Sequence, residues 1–110
     1  MAVFKSIPSQ RIINGNMIET SESAVVTNSE YTTNGEYVIV TKGIDFCVLN
    51  LNEQTTDHVV VKSLTNTIVK SNQLIDEEFN EVELSKGSCV EFKYIGNFWY
   101  ILSSDGLKGA

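Results

Sequence analysis

The residues that could supply covalent chemistry are two cysteines, Cys47 and Cys89, and a single histidine, His58. A cysteine beside a histidine can act as a nucleophile with its general base, provided that an electropositive setting stabilises the thiolate. Here each cysteine stands within an apolar run and His58 opens a run of three valines, so nothing in the spacing joins them. The sequence also lacks GxSxG, Walker and HExxH motifs. It therefore predicts buried free thiols in a reducing compartment and no enzymatic activity.

A group of five acidic residues occurs in the segment LIDEEFNEVEL: Asp76, Glu77, Glu78, Glu81 and Glu83. Carboxylates at such close spacing can bind calcium, but the run lacks the alternating Asp or Asn positions and the central Gly of a calcium loop. We favour a solvated turn followed by a charged strand edge, which discourages edge-to-edge pairing. The sequence therefore predicts no metal site and no cofactor.

The elements that must position any site are strands. Val, Ile and Thr are abundant and alanine occurs only at positions 2, 24 and 110, which is typical of β structure. No window has a sustained helical period with caps. Short apolar runs separated by Asn, Gly, Ser and Thr predict eight strands. They are Ala24–Thr27, Glu36–Thr41, Phe46–Leu51, Val59–Leu64, Thr67–Val69, Glu81–Leu84, Ser88–Ile95 and Phe98–Ser103.

The predicted fold class is all-β, a compact antiparallel β-sandwich or barrel-like module with a short extended N-terminal arm. A chain of 110 residues is expected to form one module, over residues 18–110, with the arm at residues 1–17. The clearest element is the last hairpin, because Gly96-Asn97 fits a two-residue turn between two alternating strands.

Apolar residues occupy both faces of some predicted strands. Phe98 and Tyr100 alternate with Trp99 and Ile101, and three consecutive valines end at Val61. One face would meet the core and the other a neighbouring subunit, or the module would be a closed small barrel with a large aromatic core. An aromatic platform for sugars is a further possibility. The predicted core or subunit-interface residues are Val60, Phe92, Tyr94, Phe98, Trp99, Tyr100 and Ile101.

The charge is distributed unevenly. Of a net charge of −6, residues 1–18 contribute +2 through Lys5 and Arg11, which leaves −8 for the remainder. An acidic body is poorly suited to nucleic acid, and no apolar run is long enough for a transmembrane helix. No signal peptide is expected. The first segment is either a frayed terminus or an arm that anchors to a partner. The predicted anchoring residues are Val3, Phe4, Lys5, Ile7, Arg11, Ile12 and Ile13.

The segment HVVVKSLTNTIVKSNQLIDEEFNEVELSKGSCVEFKYIGNFWYIL resembles a β module of tailed-phage fibres and other virion proteins. That module has an ordered series of short strands and turns and closes with a G-x-x-W-Y-I-L strand. The resemblance covers residues 31–103. The matching positions are Val59–Lys62, Thr67–Val69, Leu74–Asp76, Val82–Leu84, Lys86–Gly87, Val90–Phe92, Gly96 and Trp99–Leu102.

The resemblance implies a non-enzymatic structural protein of a phage particle that assembles as a homotrimer. A capsid decoration protein or head fibre is the favoured form, assembled in the host cytoplasm and bound by its arm to the major capsid protein or another virion protein. A carbohydrate-binding module for host adhesion, acting on a surface glycan, is the alternative. A tail-fibre or baseplate component is a third possibility.

Overall fold

A computed structural model describes the backbone of residues 10–13, 16–19 and 23–108, with side chains for residues 23–105. All the regular elements in these ranges are strands, so the all-β prediction is confirmed. In chain order they are β1 (Gln10–Ile13), β2 (Asn16–Glu19), β3 (Ser23–Val26), β4 (Glu30–Thr32), β5 (Val38–Thr41), β6 (Phe46–Leu51), β7 (His58–Ser63), β8 (Asn66–Ile75), β9 (Phe79–Ile95) and β10 (Phe98–Lys108).

The first two strands form a two-stranded antiparallel sheet in which Arg11 pairs with Ile18. This pair overlaps the predicted arm of residues 1–17. Residues 1–9 lie outside the described part of the chain, so the arm and its anchoring role stay a prediction.

The following six strands form two parallel stacks, β3–β5–β7 and β4–β6–β8. The chain crosses from the first stack to the second through residues 27–29, 42–45 and 64–65, and it returns through residues 33–37 and 52–57. Each crossing and return completes one coil, and each coil lies in register on the previous one. This arrangement is typical of a short β-solenoid.

The prediction of an antiparallel sandwich or barrel is therefore wrong. Short connections usually join antiparallel neighbours, because parallel neighbours need a long crossover. In this chain a short connection leads to the opposite stack, and the next coil returns beside the earlier strand in parallel. Alternation of apolar and polar residues is the same in both arrangements, so it gives no information on strand direction.

The core lies between the two stacks and is built of ladders of inward-facing apolar side chains. In the first stack Ile39 pairs with Val61, and Val61 with Val90 of β9. In the second stack Leu49 pairs with Val69, and Val69 with Val82 of β9. Ile39, Val61, Leu49, Val69 and Val90 are fully buried. Each such side chain contributes roughly 1.5–3 kcal/mol through removal of apolar surface from water.

Strand β9 closes one end of the solenoid. Its first part pairs antiparallel with β8 and its last part pairs antiparallel with β7, so one strand covers the edges of both stacks. The change of stack occurs near Gly87, whose φ of +96° is costly for other residues. The sequence predicted two strands here, Glu81–Leu84 and Ser88–Ile95, which the structure joins into one. Strand β10 then pairs antiparallel along β9.

The last hairpin has the predicted turn. Phe98 pairs with Ile95, so Gly96 and Asn97 are the two turn residues, and both have positive φ. This conformation is favoured in two-residue hairpins because its twist matches that of the strands.

Candidate functional site

The predicted aromatic residues lie mainly inside the fold. Phe92 and Trp99 are fully buried, while Tyr94 and Ile101 are partly buried and pack against the core. The rings of Tyr94 and Trp99 are in contact, with centroids 5.3 Å apart. Phe92 and Trp99 consequently offer no face to a ligand. The aromatic platform considered for sugars loses its largest member, because Trp99 has no exposed surface.

Phe98 and Tyr100 lie on the other face of β10 and are half-buried. Their rings make an edge contact with centroids 6.4 Å apart. The Tyr100 hydroxyl donates a hydrogen bond of 2.6 Å to Glu77, and this hydrogen bond raises the pKa of Tyr100 above its ordinary value. Tyr100 thereby ties β10 to the turn between β8 and β9.

Val60 belongs to an outward-facing group of valines on the first stack. The group occupies two adjacent columns across β3, β5 and β7. Val25 pairs with Val40 in one column, and Val38 pairs with Val60 in the other. Val25 is 63% exposed and the other three are half-buried. We call these four residues the valine surface.

Polar groups border the valine surface at its β9 end. His58 Nε2 lies 2.5 Å from Glu91 Oε2, and Ser103 Oγ donates a hydrogen bond of 3.0 Å to Glu91 Oε1. The hydrogen bond with His58 holds the pKa of Glu91 below its ordinary value. The carboxylate stands between the hydroxyl and the imidazole, whereas a hydrolytic triad needs the imidazole next to the hydroxyl. This group therefore lacks the geometry of an activated nucleophile.

Two lysines near the valine surface also have hydrogen-bond partners within the chain. Lys93 Nζ lies 3.3 Å from Asp57 Oδ2, and Lys62 Nζ donates a hydrogen bond of 3.2 Å to the Gly87 carbonyl. Lys62 pairs in register with Val40 and has no acidic partner among the described residues, so its positive charge borders the valine surface.

The second stack carries a polar groove of about 580 Å³ on its outer side. Four of its lining residues, Thr32, Asn50, Lys70 and Glu81, are paired in sequence across β4, β6, β8 and β9. Asn72 and Asn80 also line it. We call these six residues the polar groove. The sequence alone did not indicate this groove.

The two cysteines and the histidine are not brought together as a catalytic pair. Cys47 is buried on the inner face of β6, where burial raises the pKa of its thiol. His58 lies on the outer side of the other stack in contact with Glu91 and Tyr37. Both cysteines are free, and Cys89 is partly buried.

The acidic segment forms the turn between β8 and β9. Asp76 and Glu77 both have positive φ, and the Glu78 N–H donates to the Ile75 carbonyl at 3.0 Å. Asp76 Oδ1 accepts a hydrogen bond of 3.0 Å from the backbone N–H of Ile101. Across the residues whose side chains are described, no group of three His, Cys, Asp or Glu residues is arranged to hold a metal ion.

The predicted anchoring residues fall at the N-terminus. Val3, Phe4, Lys5 and Ile7 lie outside the described residues. The remaining three, Arg11, Ile12 and Ile13, form part of β1, for which the backbone alone is described.

Comparison with known proteins assigns no family to this chain. No protein-family model matches it, and no curated protein gives a match. Over the described ranges, no helix has the length and apolar character needed to cross a membrane.

Proposed function

We propose that the chain is a non-enzymatic structural component of a phage particle, a capsid decoration protein or head fibre. It assembles as a homotrimer through the valine surface and attaches by residues 1–17 to the major capsid protein or another virion protein. The observation that carries the self-association is the valine surface. The placement on a virion rests on the sequence resemblance to phage fibre modules.

The valine surface favours a protein partner because apolar side chains gain from removal of their remaining exposed area. When a partner covers the exposed half of a valine side chain, the burial contributes about 1 kcal/mol to the free energy of association. Tyr37, which is 44% exposed, lies in contact with His58 at the border and would extend the contact. Tyrosine is common at interfaces because it combines a large apolar ring with a polar hydroxyl.

Charge favours a second copy of this chain as that partner. The molecule carries a net charge of −6, so most pairs of its faces would repel one another. Around the valine surface, Glu91 is paired with His58 and Asp57 with Lys93. Two copies of this surface can therefore approach without placing unpaired carboxylates against one another.

The test is the solution mass of the full-length protein, measured by light scattering after size exclusion. We expect a trimer for the natural sequence and a monomer for Val40→Lys. The matched control is Val48→Lys, because Val48 is also half-buried and faces outward, but from β6 in the second stack. A monomeric natural protein, or a Val40→Lys variant that remains trimeric with an unchanged circular dichroism spectrum, would contradict the trimer.

The virion assignment needs its own measurement. Immunogold electron microscopy of purified particles should place the protein on the head, and a chain without residues 1–17 should trimerise without binding particles. Labelling on the tail or baseplate would favour that location instead. Absence of label from particles that contain their full set of structural proteins would refute the assignment.

A further inference from the structure

The sequence contains two Asn-Gly pairs, Asn14–Gly15 and Asn34–Gly35. Such pairs are prone to lose the asparagine amide group, because glycine has no side chain to obstruct attack by its backbone nitrogen on the preceding residue. Asn34 and Gly35 lie in the link between β4 and β5, and both are exposed. Water therefore reaches this pair, and its reactivity depends on how its backbone is held.

The reaction begins when the Gly35 nitrogen gives up its hydrogen and bonds to Cγ of Asn34. The bond between Cγ and the side-chain nitrogen breaks, and that nitrogen leaves as ammonia with the hydrogen from Gly35. Water then opens the succinimide ring to give aspartate, or isoaspartate with the side-chain methylene in the backbone. The first step needs a free Gly35 N–H and an Asn34 backbone that can rotate until the two atoms meet.

The structure restrains both of these requirements. The Gly35 N–H donates a hydrogen bond of 2.7 Å to Thr56 Oγ1, and the Asn34 N–H donates one of 2.7 Å to Glu36 Oε1. Both acceptor residues are buried, so water does not readily take their place. The peptide groups on the two sides of the Asn34 Cα are thereby fixed, and the Gly35 hydrogen is held between two atoms.

These restraints come from the stacking of one coil on the next. The link of residues 33–37 lies on the link of residues 52–57. The Asn52 N–H donates a hydrogen bond of 2.8 Å to Thr33 Oγ1, and the Thr55 hydroxyl donates one of 2.8 Å to the Thr33 carbonyl. Thr56 follows directly in the same link. The reactivity of an asparagine in one coil is therefore controlled by a residue of the neighbouring coil.

We propose that Asn34–Gly35 is a latent deamidation site that the Thr56 hydroxyl keeps closed while the two coils are stacked. Separation of the links releases the Gly35 N–H and starts the reaction. The product opposes restacking, because isoaspartate lengthens the backbone of the link and either product adds a carboxylate near the buried carboxylate of Glu36. An opening of the first coil is thus recorded as a permanent covalent change.

The test is the rate of deamidation in the full-length protein at mildly alkaline pH, followed by chymotryptic peptide mapping with mass spectrometry. Cleavage after Tyr31 separates the two Asn-Gly pairs, so the pair at Asn14 serves as an internal reference. We expect Asn34 in the folded natural protein to react at least about tenfold more slowly than in guanidinium chloride, because reaction requires local opening.

Two substitutions isolate the hydroxyl. Thr56→Val should raise the rate at Asn34 about fivefold, which is the effect of one hydrogen bond of average strength. Thr56→Ser is the matched control, because serine keeps the hydroxyl and should leave the rate unchanged. The rate at Asn14 should be the same in all three proteins. Neither rate requires the trimer, so failure of the trimer leaves this proposal standing.

Equal rates at Asn34 in the folded and unfolded natural protein would overturn the proposal, and so would equal rates for Thr56→Val and Thr56→Ser. If Thr56→Val loses the circular dichroism spectrum of the natural protein, amide hydrogen exchange of the natural protein decides. The Gly35 amide should then be protected by its bond to Thr56. Exchange at the rate of an unstructured peptide would overturn the proposal as well.

Discussion

The hydroxyl groups of Thr41 and Thr67 lie 2.8 Å apart inside the solenoid and join its two stacks by a buried hydrogen bond. Thr41 ends β5 in the first stack, and Thr67 stands on β8 in the second. Because the Thr67 hydroxyl donates its own hydrogen to the Thr65 carbonyl at 3.0 Å, Thr41 is the donor in this pair. Thr67 thus uses its hydroxyl in two bonds and Thr41 in one.

This difference predicts unequal effects of removing the two hydroxyls. Thr67→Val should lower the free energy of unfolding by about 1–3 kcal/mol, because it leaves the buried Thr41 donor without an acceptor. Thr41→Val should lower the free energy of unfolding by less, since the Thr67 hydroxyl keeps its hydrogen bond to the Thr65 carbonyl. Urea unfolding followed by circular dichroism measures both. A larger cost for Thr41→Val would contradict the assigned direction of the hydrogen bond.

Trp99 is fully buried, and its indole Nε1 has no hydrogen-bond partner among the described side chains and backbone. Trp99→Ala should lower the free energy of unfolding by about 3–5 kcal/mol because it leaves a large cavity. Trp99→Phe should cost less, since no hydrogen bond is lost. Leu102→Ala on the same strand, where Leu102 is 55% exposed, is the control and should change stability by less than about 0.5 kcal/mol. Equal effects of Trp99→Ala and Leu102→Ala in urea unfolding would refute this assignment.

The turn between β8 and β9 should depend on the Asp76 carboxylate. Asp76→Ala removes the acceptor for the Ile101 N–H, and we expect a loss of about 1 kcal/mol in thermal or urea unfolding. Asp76→Asn should retain most of the stability, because asparagine keeps an acceptor oxygen and tolerates positive φ. Glu78→Ala in the same turn should be neutral. Equal losses for Asp76→Ala and Asp76→Asn would show that charge matters here rather than the hydrogen bond.

Tyr31 and Glu36 predict a loss of stability at alkaline pH. The Tyr31 hydroxyl donates a hydrogen bond to the buried Glu36 carboxylate, and this bond, with burial and the nearby negative charge, raises the pKa of Tyr31 to about 12. A tyrosine in the unfolded chain titrates near 10. The folded state therefore retains the Tyr31 proton over this interval. The resulting contribution to the free energy of unfolding is complete below pH 10 and is lost between about pH 10 and 12.

The measurement is urea unfolding as a function of pH, together with the ultraviolet absorbance of tyrosinate. In Tyr31→Phe the slope of stability over that interval should be smaller, and the tyrosinate signal that appears last should be missing. Tyr37→Phe is the control, because Tyr37 follows Glu36 in the chain but its ring contacts His58 and its hydroxyl makes no hydrogen bond with Glu36. An unchanged slope in Tyr31→Phe would show that another group is responsible.

The sequence predicted the strands better than their arrangement. β6 was predicted with its observed bounds, and the Gly96-Asn97 turn was predicted because local backbone conformation decides it. β4 was missed, since Glu30–Thr32 is short and has little apolar character. The coils were missed because the paired positions are unequally spaced, from Ser23 to Val38 and then from Val38 to Val60. Unequal coil lengths conceal a solenoid repeat.

The candidate surfaces were predicted only in part. Three consecutive valines indicated apolar residues on both faces of β7, and the structure places Val59 and Val61 inside and Val60 outside. The polar groove could not be predicted, because its residues come from four strands whose register depends on parallel stacking. A pattern that is read along one strand carries no information about alignment between strands.

The double role of β9 has a consequence for the growing polypeptide. When β7 and β8 emerge from the ribosome, each still has an unpaired edge, and such edges are templates for pairing with other chains. Neither edge is covered until β9 has been synthesised and has bent from one stack to the other. The nascent chain is therefore vulnerable to aggregation from the emergence of β7 and β8 until that of β9, which covers both edges in one step.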